Sequence, residues 1–177
     1  VPFGGSEAKS GAALPWDATV KVTIPDTGFS IAGYIDRLDL ATDRSSAFVR
    51  DYKTGKAPGS DIRLNGGREL QRCLYAFAVQ QMLGDDVEIT ASLLYPKEPL
   101  DLQLDDPGEL LSEVTGYLQA ARASLSAGAV LPGPDTGGAY DDLAFALPAN
   151  AVATYCKRKQ SAVAARMGGA PLVWEAE

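Results

Sequence analysis

The hydrophobic period of this chain changes along its length, and that change limits the folds open to it. Thr19, Val20, Lys21, Val22, Thr23 and Ile24 alternate with strand period from Ala18 to Ile24, and Pro25-Asp26-Thr27-Gly28 supplies turn chemistry, which predicts a hairpin. Its second arm runs from Phe29 to Leu40. A third strand covers Ala47 to Tyr52 after the polar turn Thr42-Asp43-Arg44-Ser45-Ser46, so three antiparallel strands in a row are expected. The period then becomes helical: Leu70, Leu74, Phe77, Ala78 and Met82 share one face of a helix over 68–83, which Gly84 can stop. A strand over Val87 to Tyr95, bounded by Pro96, is followed by a helix from Pro107 to Ala127. A Gly- and Pro-rich loop covers Ala129 to Ala139, and a last helix is expected within Pro148 to Met167. The fold class is α/β (α+β), with residues 1–17 as a lead-in segment, 18–128 as the core and 129–177 as a C-terminal loop and helix of one domain.

Composition narrows the chemistry. At 177 residues, with 46% hydrophobic and 22% charged content, the chain is sized for one globular core. No apolar run approaches the roughly 20 residues of a membrane span, so a cytoplasmic protein without membrane partners is expected. Histidine is absent and only Cys73 and Cys156 are available, which excludes a histidine-based triad, a zinc-histidine site and a disulfide framework. Any metal must be held by oxygen, favouring Mg²⁺ or Mn²⁺. The net charge of −7 argues against a broad nucleic-acid surface. It leaves room for an acidic metal site that is handed its strand.

Asp51 and Lys53 lie two apart on a predicted strand, so they project from one face while Tyr52 turns the other way into the packing. Asp36, near the end of the preceding strand, can be brought beside Asp51 by antiparallel pairing. Two carboxylates and an ammonium then share one space. Such a set suits phosphodiester hydrolysis, in which a carboxylate-held cation neutralises charge and acidifies water, and a lysine either activates the water or stabilises developing charge. The Asp-Tyr-Lys triplet alone is common, and taken by itself its ordinary reading is a surface strand end with a casual ion pair.

Taken together, Gly33-Tyr34-Ile35-Asp36-Arg37-Leu38-Asp39, then Asp51-Tyr52-Lys53-Thr54-Gly55-Lys56, then Gln71 and Tyr75 one helical turn apart, resemble the RecB-like nucleases of the PD-(D/E)XK superfamily. The resemblance covers roughly Val20 to Tyr95 and rests on a Gly-x-x-Asp strand, an Asp-Tyr-Lys strand and a Gln-x-x-x-Tyr helix in that order. It implies a mixed sheet flanked by helices and a Mg²⁺- or Mn²⁺-dependent deoxyribonuclease of exonuclease type. Asp36, Asp51 and the Tyr52 carbonyl are then metal ligands, Lys53 is the catalytic lysine, and Gln71 and Tyr75 position the water or the strand. DNA, as single strands or ends, and a helicase domain or subunit are the implied partners, in repair and recombination. The absence of an initiator methionine fits a fragment of a larger helicase-nuclease.

Arg37 and Lys56 are candidate phosphate contacts or solvated loop charges, and Asp39 reads as a strand-end residue rather than a third ligand. The family usually brings a His or Glu from an upstream helix. Glu7 is the available acid before Asp17, and a loop glutamate is ordinarily solvated. Some relatives clamp this domain with an iron–sulfur cluster, but Cys156 lacks companions, so none is expected. The run Lys157-Arg158-Lys159 is a solvated helix face or a DNA path. The competing readings are a noncatalytic module of the same fold that docks DNA or a partner, and an acidic structural domain.

Overall fold

The computed structural model describes residues 1–6, 13–58, 62–128, 147–167, 169 and 172. The chain divides into two compact units, Val1–Thr115 and Gly116–Ala176. The first contains β1 (Pro2–Phe3), β2 (Val22–Thr23), β3 (Ser30–Ile31), β4 (Gly33–Tyr34), β5 (Arg37–Leu40), β6 (Ser46–Tyr52), α1 (Gln71–Leu83), β7 (Glu88–Tyr95) and β8 (Leu100–Leu104). Helix α2 (Pro107–Ser126) runs from the first unit into the second, which also holds α3 (Val152–Met167). The expected loop over Ala129 to Ala139 lies outside the described residues.

The main sheet has the order β5-β6-β7-β8. β5 and β6 are antiparallel, with Arg37 opposite Arg50 and Leu40 opposite Ala47. β6 and β7 are parallel, with Asp51 opposite Leu93, and β7 and β8 are antiparallel. A parallel pair needs a crossover long enough to return the chain to the same end of the sheet. Here α1 supplies it, packing on β6 and β7. Ala47 and Val49 of β6, Ala91 and Leu93 of β7, and Cys73, Ala76, Phe77 and Val79 of α1 are buried in the core. This mixed sheet with helices is the α+β arrangement expected from the sequence.

The front of the chain departs from the expected three-strand meander. The run Phe29 to Leu40 is broken into β3, β4 and β5, and each piece takes a different partner: β2, β1 and β6 respectively. Its alternation is genuine, but no single neighbour satisfies its backbone groups. The hairpin does form at Pro25-Asp26-Thr27-Gly28, where Thr27 Oγ1 donates to the Ile24 carbonyl at 2.9 Å. The strand before it shrinks to Val22–Thr23. Asp17 Oδ1 accepts the Thr19 N–H at 2.9 Å and the Thr19 hydroxyl at 2.7 Å, and this local turn replaces ladder bonds. The lead-in segment contributes β1, tied to β4 with Phe3 opposite Gly33. Gly4, at φ 69°, turns the chain away from it; a Cβ there would lie 2.1 Å from the Ile31 carbonyl oxygen.

Helix α1 starts at Gln71, three residues later than the periodicity predicts, because Leu64 to Arg68 form turns, and it ends at Gly84 as expected. Strand β8 was not anticipated. Leu100, Leu102 and Leu104 alternate with Asp101 and Gln103, a strand signal hidden by the prolines before it. Cys73 is buried and Cys156 exposed. Desolvation, reinforced by the charge of Glu69, pushes the Cys73 thiol up to about 12. A disulfide reagent at pH 8 is expected to modify one thiol in the native protein, Cys156, and two after denaturation; rapid reaction of both in the native state would contradict the packing.

Candidate active site

The candidate residues converge where β6 leaves the sheet. Ala47, Val49 and Asp51 alternate onto the face covered by α1, so a carboxylate follows two apolar residues into the core. Asp51 is 7% exposed. A buried carboxylate requires compensation, and two groups provide it: Lys53 Nζ lies 2.6 Å from Oδ2, and Gln71 Nε2 is 3.5 Å from Oδ1. The lysine contact is an ion pair off hydrogen-bond alignment, and Asp51 Oδ2 accepts no hydrogen bond among the described residues. Lys53 is itself held by two further contacts: its backbone N–H donates to the Leu94 carbonyl at 2.9 Å, and its ammonium donates to Gln71 Oε1.

Asp36 sits in the bend between β4 and β5, one residue before the Arg37–Arg50 pair. Its Oδ2 accepts the backbone N–H of Tyr52 at 3.0 Å, which fixes an exposed carboxylate beside the backbone that carries Asp51. From the facing helix, Gln71 and Tyr75 point to the same side at i and i+4, and Gln71 Nε2 donates to the Tyr75 hydroxyl at 3.3 Å. Asp36, Asp51, Lys53, Gln71 and Tyr75 are thus gathered in one neighbourhood from two strand ends and the start of one helix.

The flanking residues behave differently. Tyr52 does not turn into the packing; it is 38% exposed and shares with the half-buried Phe48 and Arg50 the face of β6 opposite the buried Ala47, Val49 and Asp51. There Arg50 stacks on Phe48 at 3.9 Å and donates to Asp39. Asp39 also accepts two bonds from Arg37 Nε, at 2.9 and 3.0 Å, consistent with a strand-surface role. The Tyr52 phenol and then Asp39 hold the Arg37 guanidinium above its ordinary value. Lys56 is exposed in the loop after β6, Lys157, Arg158 and Lys159 are exposed on α3, and Glu7 lies outside the described residues.

The donor set suits a hard divalent cation. It offers a buried carboxylate whose Oδ2 is paired with the Lys53 ammonium but accepts no aligned hydrogen bond, a second carboxylate fixed at the neighbouring backbone, and a strand-end carbonyl at Tyr52. Among the described residues no group of three or more acidic, cysteine or histidine side chains is gathered for a metal. Two carboxylates and backbone or solvent oxygen would therefore complete the set.

The sequence model of the PD-(D/E)XK nuclease superfamily matches residues 5–160. The chain belongs to the PD-(D/E)XK nuclease superfamily. Neither the curated proteins nor the solved structures compared with it give a significant match. Members of the superfamily are mostly metal-dependent nucleases, generally using divalent ions such as Mg²⁺, which supports a hydrolase with DNA as the implied substrate. This PD-(D/E)XK chain has the mixed sheet of its superfamily, with the charged cluster at the end of β6. None of its described helices is long and apolar enough to cross a membrane.

Phe3 is the contributor to this neighbourhood that sequence reasoning missed. Its ring meets that of Tyr75 edge-on at 5.7 Å and 77°. A two-residue strand carries almost no periodicity, and the available signal was an apolar Pro2-Phe3 pair ahead of Gly4-Gly5.

Proposed function

We propose that the protein is a RecB-like deoxyribonuclease dependent on Mg²⁺ or Mn²⁺. It acts as an exonuclease on single strands or DNA ends delivered by a helicase domain or subunit in repair or recombination, and the 177 residues form one nuclease domain of that machine. The observation that carries the reading is the buried Asp51 carboxylate, ion-paired to Lys53 at 2.6 Å with Oδ2 free of hydrogen bonds, beside the anchored Asp36. The order of the Gly-x-x-Asp, Asp-Tyr-Lys and Gln-x-x-x-Tyr motifs supports the RecB-like subtype.

Asp36, Asp51 and the Tyr52 carbonyl would hold the ion. When bound, the ion supplies Lewis acidity toward the phosphate and lowers the pKa of the attacking water. Lys53, fixed between Asp51 and Gln71, directs its ammonium toward the negative charge that develops on the phosphoryl oxygens. Gln71 sets the lysine's direction, and Tyr75, bonded to the Gln71 amide, sets Gln71. Arg37 and Lys56 contact phosphates flanking the scissile bond, Arg37 at the expense of part of its pairing with Asp39.

The test is calorimetric Mn²⁺ titration of the unmodified chain and its Asp36→Ala variant, followed by digestion of linear and circular single-stranded DNA. Affinity is expected to fall about 100-fold in the variant. Linear DNA should be degraded while circular DNA is spared; digestion of both would replace exonuclease by endonuclease action. Because no third ligating side chain is gathered among the described residues, a second reading stands beside this one: a noncatalytic module of the same fold that docks DNA or a partner. DNA binding without Mn²⁺ uptake or digestion would favour it.

A further inference from the structure

We infer that Phe3 is a positioning residue, the tie that sets β4, which leads into Asp36, against the helix carrying Gln71 and Tyr75; the inference rests on the nuclease reading above. Phe3 is 1% exposed and touches both motifs at once. On one side its ring lies across Gly33, the glycine three residues before Asp36. A Cβ at position 33 would stand 3.2 and 3.3 Å from Phe3 Cε1 and Cζ, so the ring occupies the space where a side chain would be. On the other side the same ring packs edge-on against Tyr75 at 5.7 Å.

The backbone makes this contact specific. β1 pairs with β4 in the register Phe3 to Gly33 and Pro2 to Tyr34, and the Ile35 N–H donates to the Val1 carbonyl at 2.8 Å. The strand is therefore held up to the residue before Asp36. From Tyr75 the contacts continue through the Gln71 amide to Lys53 and Asp51. Asp36 is joined to β6 by the Tyr52 N–H and by the Arg37–Arg50 pair that follows it, and the phenyl ring joins the segment entering Asp36 to the helix that carries Gln71 and Tyr75. Side chains that must act on one phosphate tolerate little error in separation. A smaller residue at position 3 lets β4 and α1 approach or slide while the main sheet stays intact.

The experiment uses the full chain with Phe3→Leu and, separately, Gly33→Ala, whose added methyl displaces an intact ring by a few tenths of an ångström. Three quantities are read: the unfolding midpoint, the side-chain amide resonances of Gln71 by ¹⁵N NMR, and kcat and KM for Mn²⁺-dependent DNA digestion corrected for folded fraction. Both variants are expected to shift or broaden the Gln71 amide and to lower kcat about 10-fold with KM for DNA little changed. The double variant should lose less than the two losses combined, because the leucine removes the ring that the new methyl strikes. An unchanged kcat per folded molecule, with only the midpoint lowered, overturns the inference and leaves Phe3 as core packing. If the unmodified chain neither takes up Mn²⁺ nor digests DNA, the nuclease reading fails, and the Gln71 amide alone decides: unmoved in both variants, it overturns the tie.

Discussion

Asp51→Asn is expected to reduce Mn²⁺-dependent DNA digestion by on the order of 10³-fold or more while the protein stays folded. The substitution keeps the shape and most of the packing of a side chain that is 7% exposed, and removes its charge. Two functions are lost together. The buried Oδ2 no longer offers a full negative charge to a cation, and Lys53, 2.6 Å away, loses the ion pair that fixes its direction. Asparagine can still meet Gln71 and Lys53 as a neutral hydrogen-bonding group, so the local backbone has no reason to move. Single-turnover digestion at saturating Mn²⁺, with circular dichroism on the same sample, checks both halves. Activity within tenfold of the unmodified protein would remove Asp51 from the catalytic site.

The second large effect is on stability. Arg72→Met is expected to lower the unfolding free energy by about 3–5 kcal/mol, as breaking a buried pair from one side does. Arg72 Nε donates to Glu69 Oε2 at 2.7 Å, with both side chains buried. Its two terminal nitrogens reach four carbonyls: Ile62 at 2.8 Å, Gln103 at 3.2 Å, and Arg63 and Leu102 at 3.3 Å. One guanidinium thus ties the loop before α1 and the far strand β8 to the residue next to Gln71. Methionine fills similar volume but strands the Glu69 charge and leaves four acceptors to find other donors. Lysine, a point charge without the planar fork, should recover only a minor part. Urea denaturation measures the loss, and a change below about 1 kcal/mol would show that the clasp is dispensable. Adding Glu69→Gln to Arg72→Met should restore part of the stability, because the stranded charge is then gone.

The two-residue repeat already puts Ala47, Val49, Asp51 and Lys53 on one face of their strand, although the reading that turned Tyr52 inward took the wrong face for the buried one, and the switch to helical period at Leu70 already requires a helix that carries Gln71 and Tyr75 together. These are local consequences of backbone geometry, two residues per strand repeat and 3.6 per helical turn. The absence of histidine and of a cysteine set likewise restricts metal chemistry to oxygen donors before any coordinate is known. Partner choice is not local. The run from Phe29 to Leu40 is strand-like throughout, but its division among β2, β1 and β6 depends on which backbone groups reach it from residues far away in the chain. The exposure of Tyr52 follows from the other face of β6 being the one that α1 covers, and the burial of Arg72 from β8 arriving beside it. Sequence by itself determined which residues could share a face, because that is set by the bond geometry of each segment. Only the tertiary structure decided which faces meet, placing Phe3 between Gly33 and Tyr75 and Gln71 over Lys53, because those contacts join segments up to about seventy residues apart whose pairing no short-range pattern encodes.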